Sequence, residues 1–431
     1  MATLDQEPGS PDNKSLNNLF GAFGALLGYI GAEATTVLSF ERLLWPQRFL
    51  SGLTIRSAPQ LALLHPMGGP LHTVALKTMD TMFQHGLLEG SYQGHMLGTS
   101  FMPELGWSYV VHNDAAPTSR TAPLRNCIWA RAFTYIGVRA MRDKNYIQGS
   151  EMGEPTRPIR AQVIVGHLTL SKATPADISS KLPFVAESVN GPSLRIFLGL
   201  ALAEISGISV TIILLSIYQT AWALLWLAPL FLRFVSASFS LRREPLISFP
   251  SHVANDPVSD FEVRYPQSDG NFLLITGPPA LVLQFTRHYG HPVRSHFREI
   301  IQLAIVIGFG SLFPIGLFCS TLWMPLPVQY AWLGYQIFAV LVTLVARYSH
   351  AARVTTTESH IAQLLGQEAC EQEQTLLFGY ARNDPGTIKA SLSITYHARY
   401  LDGKEHIARL LIRSKLETSS DPGPALTIPA S

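Results

Sequence analysis

The chain has 431 residues, of which 47% are hydrophobic and 14% charged, and its mean hydropathy is +0.19. The formal net charge of +2 carries no strong signal for nucleic acid, and Cys127, Cys319 and Cys370 are too few and too scattered for a disulfide framework or a zinc site. At roughly 100 to 200 residues per domain, there is room for an apolar bundle plus one water-soluble domain of ordinary size.

In chain order, residues 1–17 read as a disordered N-terminus and 18–40 as a first transmembrane segment, its apolar run extending from Leu19 to Phe40. Asp5, Glu7, Asp12 and Lys14 precede the run, and Arg42 and Arg48 follow it. A cleaved signal peptide is the competing reading, but such peptides open with basic residues. Gly21, Gly24, Gly28 and Gly31 fall at steps of three, four and three, a stripe along which another helix can approach closely. Asn13-Lys14-Ser15 is a glycosylation sequon, luminal in this topology, and Glu33 is an ionisable group near the end of the run.

Residues 41–191 lack a convincing span and read as a cytosolic mixed α/β region. Gly69-Pro70 starts a helix that Gly86 stops, with Leu71, Val74, Ala75, Thr78, Met79 and Met82 at helical spacing. His65, His72, Asp80, His85, Glu89 and His95 scatter around it without metal-ligand spacing, so no metal or other cofactor is expected. A second helix over 123–144 places Trp129, Phe133 and Ile136 on one face and Arg131, Arg139 and Arg142 on the other, and 160–170 reads as a strand.

Two apolar hairpins follow, within 192–241 and 299–346, each arm suited to the roughly 20 residues that span a bilayer. Arg195, Arg242, Arg243, Arg294, Arg298, Arg347 and Arg353 guard their ends, while the tips at Gln219-Thr220 and 323–327 carry no charge. Lys and Arg favour the cytosolic side. The tips and the N-terminus are therefore expected to be luminal or extracellular, and the C-terminus cytosolic. Together with the first segment, this gives a membrane α-helical fold of about five spans with a cytosolic mixed α/β domain. Glu204 and Arg233 lie about equally far from the first tip, hence at similar depth at 1.5 Å rise per residue, and are expected to form an intramembrane ion pair.

The loop 242–298 contains a strand-like run at 271–276 and then His288, His291 and His296 among Arg287, Arg294 and Arg298. Without HxxxH or HxxHH boxes, these histidines read as a basic interfacial collar. Residues 347–416 form a small cytosolic α/β appendage, helical from 357 and strand-like over 388–396, and 417–431 a disordered tail.

Gln284-Phe285-Thr286-Arg287-His288-Tyr289-Gly290-His291-Pro292, Arg298-Glu299, Trp323-Met324-Pro325 and the run 329–336 resemble a group of uncharacterised multi-pass membrane proteins of filamentous fungi, some encoded beside secondary-metabolism genes. The resemblance implies an auxiliary, non-catalytic role in making or moving a natural product, with the lipid bilayer and pathway enzymes or other membrane subunits as partners. Two further classes stay open. One is a membrane-embedded acid–base enzyme, an isomerase or cyclase acting on a lipophilic intermediate; the other is a transporter or channel subunit with Glu204 and Arg233 in its path.

Overall fold

A computed structural model describes residues 11–35, 38–50, 53–85, 107–112, 121–124, 128–142, 146–147, 159–160, 163–186, 193–242, 244, 246, 258–265, 271–289, 293, 295–348, 357–366, 373–384 and 386–419. The chain divides into two compact units, each assembled from three stretches of sequence. A helical unit comprises Met1–Leu97, Asn190–Arg242 and Val293–Thr356; a sheet unit comprises Gly98–Val189, Arg243–Pro292 and Thr357–Ser431. Residues 41–97, read above as water-facing, thus belong to the helical unit. The three stretches read as separate soluble pieces contribute to one sheet.

The helical unit contains α1 (Pro11–Ala34), α2 (Leu38–Leu44), α3 (Pro46–Leu50), α4 (Ala58–Leu64), α5 (His72–His85), α6 (Leu194–Ala203), α7 (Ile205–Tyr218), α8 (Ala228–Ser238), α9 (His296–Leu322) and α10 (Leu326–Tyr348). A 3-10 stretch, Ala221–Leu227, runs into α8. Gln219 turns the first hairpin in the left-handed region at φ 47°, and the Thr220 side chain caps the returning arm by accepting from the Trp222 N–H.

Among the described residues, three helices are long and apolar enough to cross a membrane: Ala221–Ser238, α9 and α10. A fourth is obtained if α6 and α7, bent by 64° at Glu204, form one broken span, so the described residues do not reach the expected five. The apolar part of α1, Leu19–Ala34, is shorter than these, and its helix already begins at Pro11, inside the stretch read as disordered. Ile213, Phe231, Ile300, Ile315, Phe318 and Leu341 stand exposed on the apolar helices, as side chains facing lipid would.

Glycines set the closest approaches in this unit. A Cβ at Gly24 would stand 2.2 Å from Leu317, one at Gly28 2.8 Å from Phe313, and one at Gly31 2.0 Å from Pro70, whereas Gly21 meets nothing within 4 Å. Three glycines of the stripe therefore serve packing. Helix α5 carries Val74, Ala75 and Met82 into the interior, where Ala75 lies against Gly310 of α9. The link between α4 and α5, residues 65–71, is non-helical and buried throughout. At membrane depth such backbone requires partners supplied by protein.

The sheet unit holds β1 (Ser108–His112), β2 (Thr121–Pro123), β3 (Tyr146–Ile147), β4 (Ile159–Arg160), β5 (Val163–Lys172), β6 (Phe184–Ala186), β7 (Ser259–Arg264), β8 (Asn271–Gly277), β9 (Gln374–Gly379) and β10 (Ile388–His397). Eight strands form one mixed sheet in the order β2-β1-β7-β8-β5-β10-β9-β6, while β3 and β4 pair separately. Its centre combines all three stretches: β8 lies parallel to β5, and β10 antiparallel to β5 from Ile388↔Lys172 to His397↔Val163.

Alternation gives the sheet one apolar face. Ile164, Leu168 and Leu170 of β5 share a core with Leu273 and Ile275 of β8 and with Leu376 and Phe378 of β9. Helices Ile128–Arg142 and Thr357–Leu365 cover this face, and Trp129 packs edge-on to Phe285 and Phe378 at 5.6 and 5.5 Å. Trp129, Phe133 and Ile136 are thus core residues. On the other face, Gly403 of helix Tyr400–Ser419 sits against Val163 and Phe272. This helix occupies the end of the stretch read as an appendage and continues into the one read as a tail, whose residues 420–431 lie outside those described.

Candidate functional site

The strongest polar constellation lies inside the helical unit, where the regular helix ends at Ala203. Glu204 adopts φ −102° and ψ 17° between α6 and α7, and its side chain turns into the interior with 0% of the residue exposed. Gly207 follows in the first turn of α7. A Cβ there would stand 2.9 Å from the Trp226 backbone carbonyl, so glycine lets the two arms of the hairpin close on each other at the break.

Arg233, on α8 and 4% exposed, donates from Nη1 to Glu204 Oε1 at 2.7 Å. The same nitrogen donates to the His65 carbonyl at 3.2 Å, and the Met67 N–H donates to Glu204 Oε1 at 2.9 Å. The two charges therefore serve each other and two free backbone groups of the buried 65–71 link. An ion pair in this setting offsets its own desolvation only when further hydrogen bonds complete it. Here the backbone supplies two of them, one to each charge.

Tyr335 of α10 closes the site. Its ring lies over Gly68, 2.7 Å from where a Cβ would stand, and its hydroxyl lies in the field of Glu204 and Arg233 and faces Ser206. A neighbouring set ties α8 to α9: Gln302 donates to the Ser236 and Phe239 carbonyls at 3.0 Å, and Ser236 Oγ contacts Gln302 Oε1 and the Leu43 carbonyl at 2.9 and 2.7 Å. Sequence reading missed Tyr335, Gln302 and the 65–67 backbone. A glutamine amid apolar residues was the available signal for Gln302, whereas nothing in His65-Pro66-Met67 announces a backbone partner for Glu204.

Of the remaining sequence candidates, Glu33 and His296 do not join this centre. Glu33 is exposed on α1, its carbonyl accepting from Arg347. His296 is exposed at the start of α9, 3.8 Å from Glu299. His288 ends a π turn, Gln284–His288, and Asn13 lies in α1, both with side chains outside those described; His291 lies outside the described residues altogether. Among the described residues, no group of three or more His, Cys, Asp or Glu could hold a metal ion.

The sheet unit has a polar chain of its own: Thr276 donates to Asp260 at 2.6 Å, and His167 Nε2 lies 2.9 Å from the Thr276 hydroxyl. Nearby on β1 and β7, His112 Nε2 lies 3.0 Å from Glu262, and this hydrogen bond holds the Glu262 carboxyl below the usual range against the opposing effect of burial. Comparison of the chain with protein-family models, with curated proteins and with solved structures gives no match.

Proposed function

We propose that the chain is a multi-pass integral membrane protein serving as an auxiliary, non-catalytic component of a membrane-bound biosynthetic pathway. Fungal secondary metabolism is the setting that the resemblance implies. The observation that carries the membrane arrangement is the pairing of β5 with β8 and β10 across both apolar hairpins. A hydrogen-bonded sheet cannot be shared between two sides of a bilayer, so each hairpin has to return to the side it left. The arginine-flanked ends favour the cytosolic side for the sheet unit and the C-terminus, with the N-terminus luminal.

In this reading the Glu204–Arg233 pair is a clamp. Its charges engage each other and the 65–67 backbone, which supports a role in holding the bundle together. Pathway enzymes or other membrane subunits would meet the sheet unit.

The second reading, a membrane-embedded acid–base enzyme or a conduit, draws on one observation: Glu204 stands at a helix break, where transporters commonly build their sites. Metabolite profiling of a strain lacking the protein, in cells and in medium, separates the two. The auxiliary reading expects reduced product, restored by the Glu204→Gln variant in proportion to its abundance. A single precursor that persists with abundant Glu204→Gln protein would favour the enzyme, and finished product trapped in cells the conduit.

A further inference from the structure

The centre around Glu204 leaves part of its hydrogen-bonding capacity unused by protein. Glu204 Oε1 takes both donors, while Oε2 has none; Arg233 Nε and His65 Nε2 are also buried without a protein partner, and the Tyr335 hydroxyl and Ser206 Oγ have only each other. Four of these five residues are more than nine-tenths buried, with exposures of 0% for Glu204, 4% for Arg233, 3% for His65 and 7% for Tyr335. They are gathered in one place: Arg233 touches Glu204 and the His65 carbonyl, and Tyr335 leans on Gly68 and Gly207 while facing Ser206.

The chemistry of these atoms selects the guest. Arg233 Nε can only donate and Glu204 Oε2, when ionised, only accept, while both hydroxyls do either. With His65 Nδ1 directed at the Gln60 carbonyl at 3.4 Å, a proton there leaves Nε2 an acceptor. A cation placed among them would meet Arg233, and an anion would meet Glu204. A neutral guest with donors and acceptors in balance fits, and buried water satisfies such groups with two to four hydrogen bonds each.

We infer that Glu204, Arg233, His65, Tyr335 and Ser206 hold a cluster of water molecules at the break between α6 and α7. Glu204 Oε2 is then hydrated inside the helical unit and can exchange a proton with water, which a dry clamp cannot do. This deepens the reading of the same centre given above but rests on contacts within the helical unit alone. Its failure would leave the membrane arrangement standing.

The site carries its own reporters, because Met67 reaches it through its backbone N–H, Tyr335 faces it, and Trp226 lies edge-on to Tyr335 at 6.5 Å. X-ray radiolysis of the full chain in lipid nanodiscs generates hydroxyl radicals from bound water, and mass spectrometry reads the modified side chains. Met67, Tyr335 and Trp226 should be modified well ahead of Met82, which is 0% exposed on α5. Labelling no faster than that of Met82 overturns the inference. Tyr335→Phe should also lower Tm and slow the labelling of Met67. An unchanged or raised Tm would mean that the hydroxyl had no water to bind, and overturns it equally.

Discussion

Val163 and His397 stand opposite each other on adjacent antiparallel strands, although the chain between them contains every described helix long and apolar enough to cross a membrane. In the proposed membrane arrangement, this pairing requires each hairpin to return to the side it left. It also explains why the stretches read as soluble make no separate domains: β5 from the first, β8 from the second and β10 from the third share their hydrogen bonds in the middle of one sheet.

The buried ion pair makes a graded expectation. Glu204→Gln or Arg233→Met leaves one charge buried without its partner, which costs about 3–5 kcal/mol, and both should lower Tm and abundance. The double variant Glu204→Gln/Arg233→Met should be more stable than Glu204→Gln alone, since no uncompensated charge remains. Exchanging the two residues should rescue little. The Met67 N–H would then face a guanidinium and the His65 carbonyl a carboxylate. Full rescue by the exchange would show that the backbone contacts contribute nothing.

Two glycines in apolar helices should respond oppositely to alanine. At Gly207 the new methyl meets a backbone carbonyl at 2.9 Å, a contact that side-chain motion cannot relieve, and overpacking of this kind costs about 1–3 kcal/mol. At Gly21 it meets nothing within 4 Å, so the gain in helix propensity, up to about 1 kcal/mol, is unopposed. Thermal melts in one detergent should show Tm falling for Gly207→Ala and holding or rising for Gly21→Ala.

Helix Tyr400–Ser419 should loosen in acid. The rings of His397 and His406 lie 5.1 Å apart, and burial, as the main cause, holds both below the ordinary histidine value. Asp402 opposes the shift at His397, where Arg409 adds to it; His397, Arg409 and His167 add to it at His406. Because the fold favours the neutral rings, their contribution is complete above the unfolded histidine pKa of about 6.5 and is lost as pH falls toward their lower folded values. Hydrogen exchange, corrected for intrinsic rates, should show protection of this helix falling with acidification, and His406→Gln should flatten the dependence. A helix equally protected throughout would contradict the role given to these rings.

What the sequence disclosed follows from locality. Ala221–Ser238, α9 and α10 are legible as apolar runs, and β5, β8 and most of β10 as short stretches rich in β-branched residues. Strand β7 was hidden because Asp260 and Glu262 face away from the core, making the segment look like an acidic loop. Strands β2 and β6 have three residues each, too few to show alternation. Pairing β5 with β10 spans more than half the chain, and no local pattern encodes it. The depth argument from the hairpin tip placed Glu204 near Arg233, but it took a continuous helix for granted and so gave no sign of the 64° break or of the 65–71 link that meets it.

Accessibility of the sheet unit from the two sides of a sealed membrane tests the central claim most directly. Single cysteines replace Lys181, Arg264 or Lys404, exposed residues from the three stretches that build the sheet, or Trp323 at a hairpin tip, in a chain whose Cys127, Cys319 and Cys370 are serine. A membrane-impermeant maleimide should reach Lys181→Cys, Arg264→Cys and Lys404→Cys from the cytosolic side alone, and Trp323→Cys from the other. Labelling of any one of the three from the opposite side, or of all four from the same side, would contradict the account.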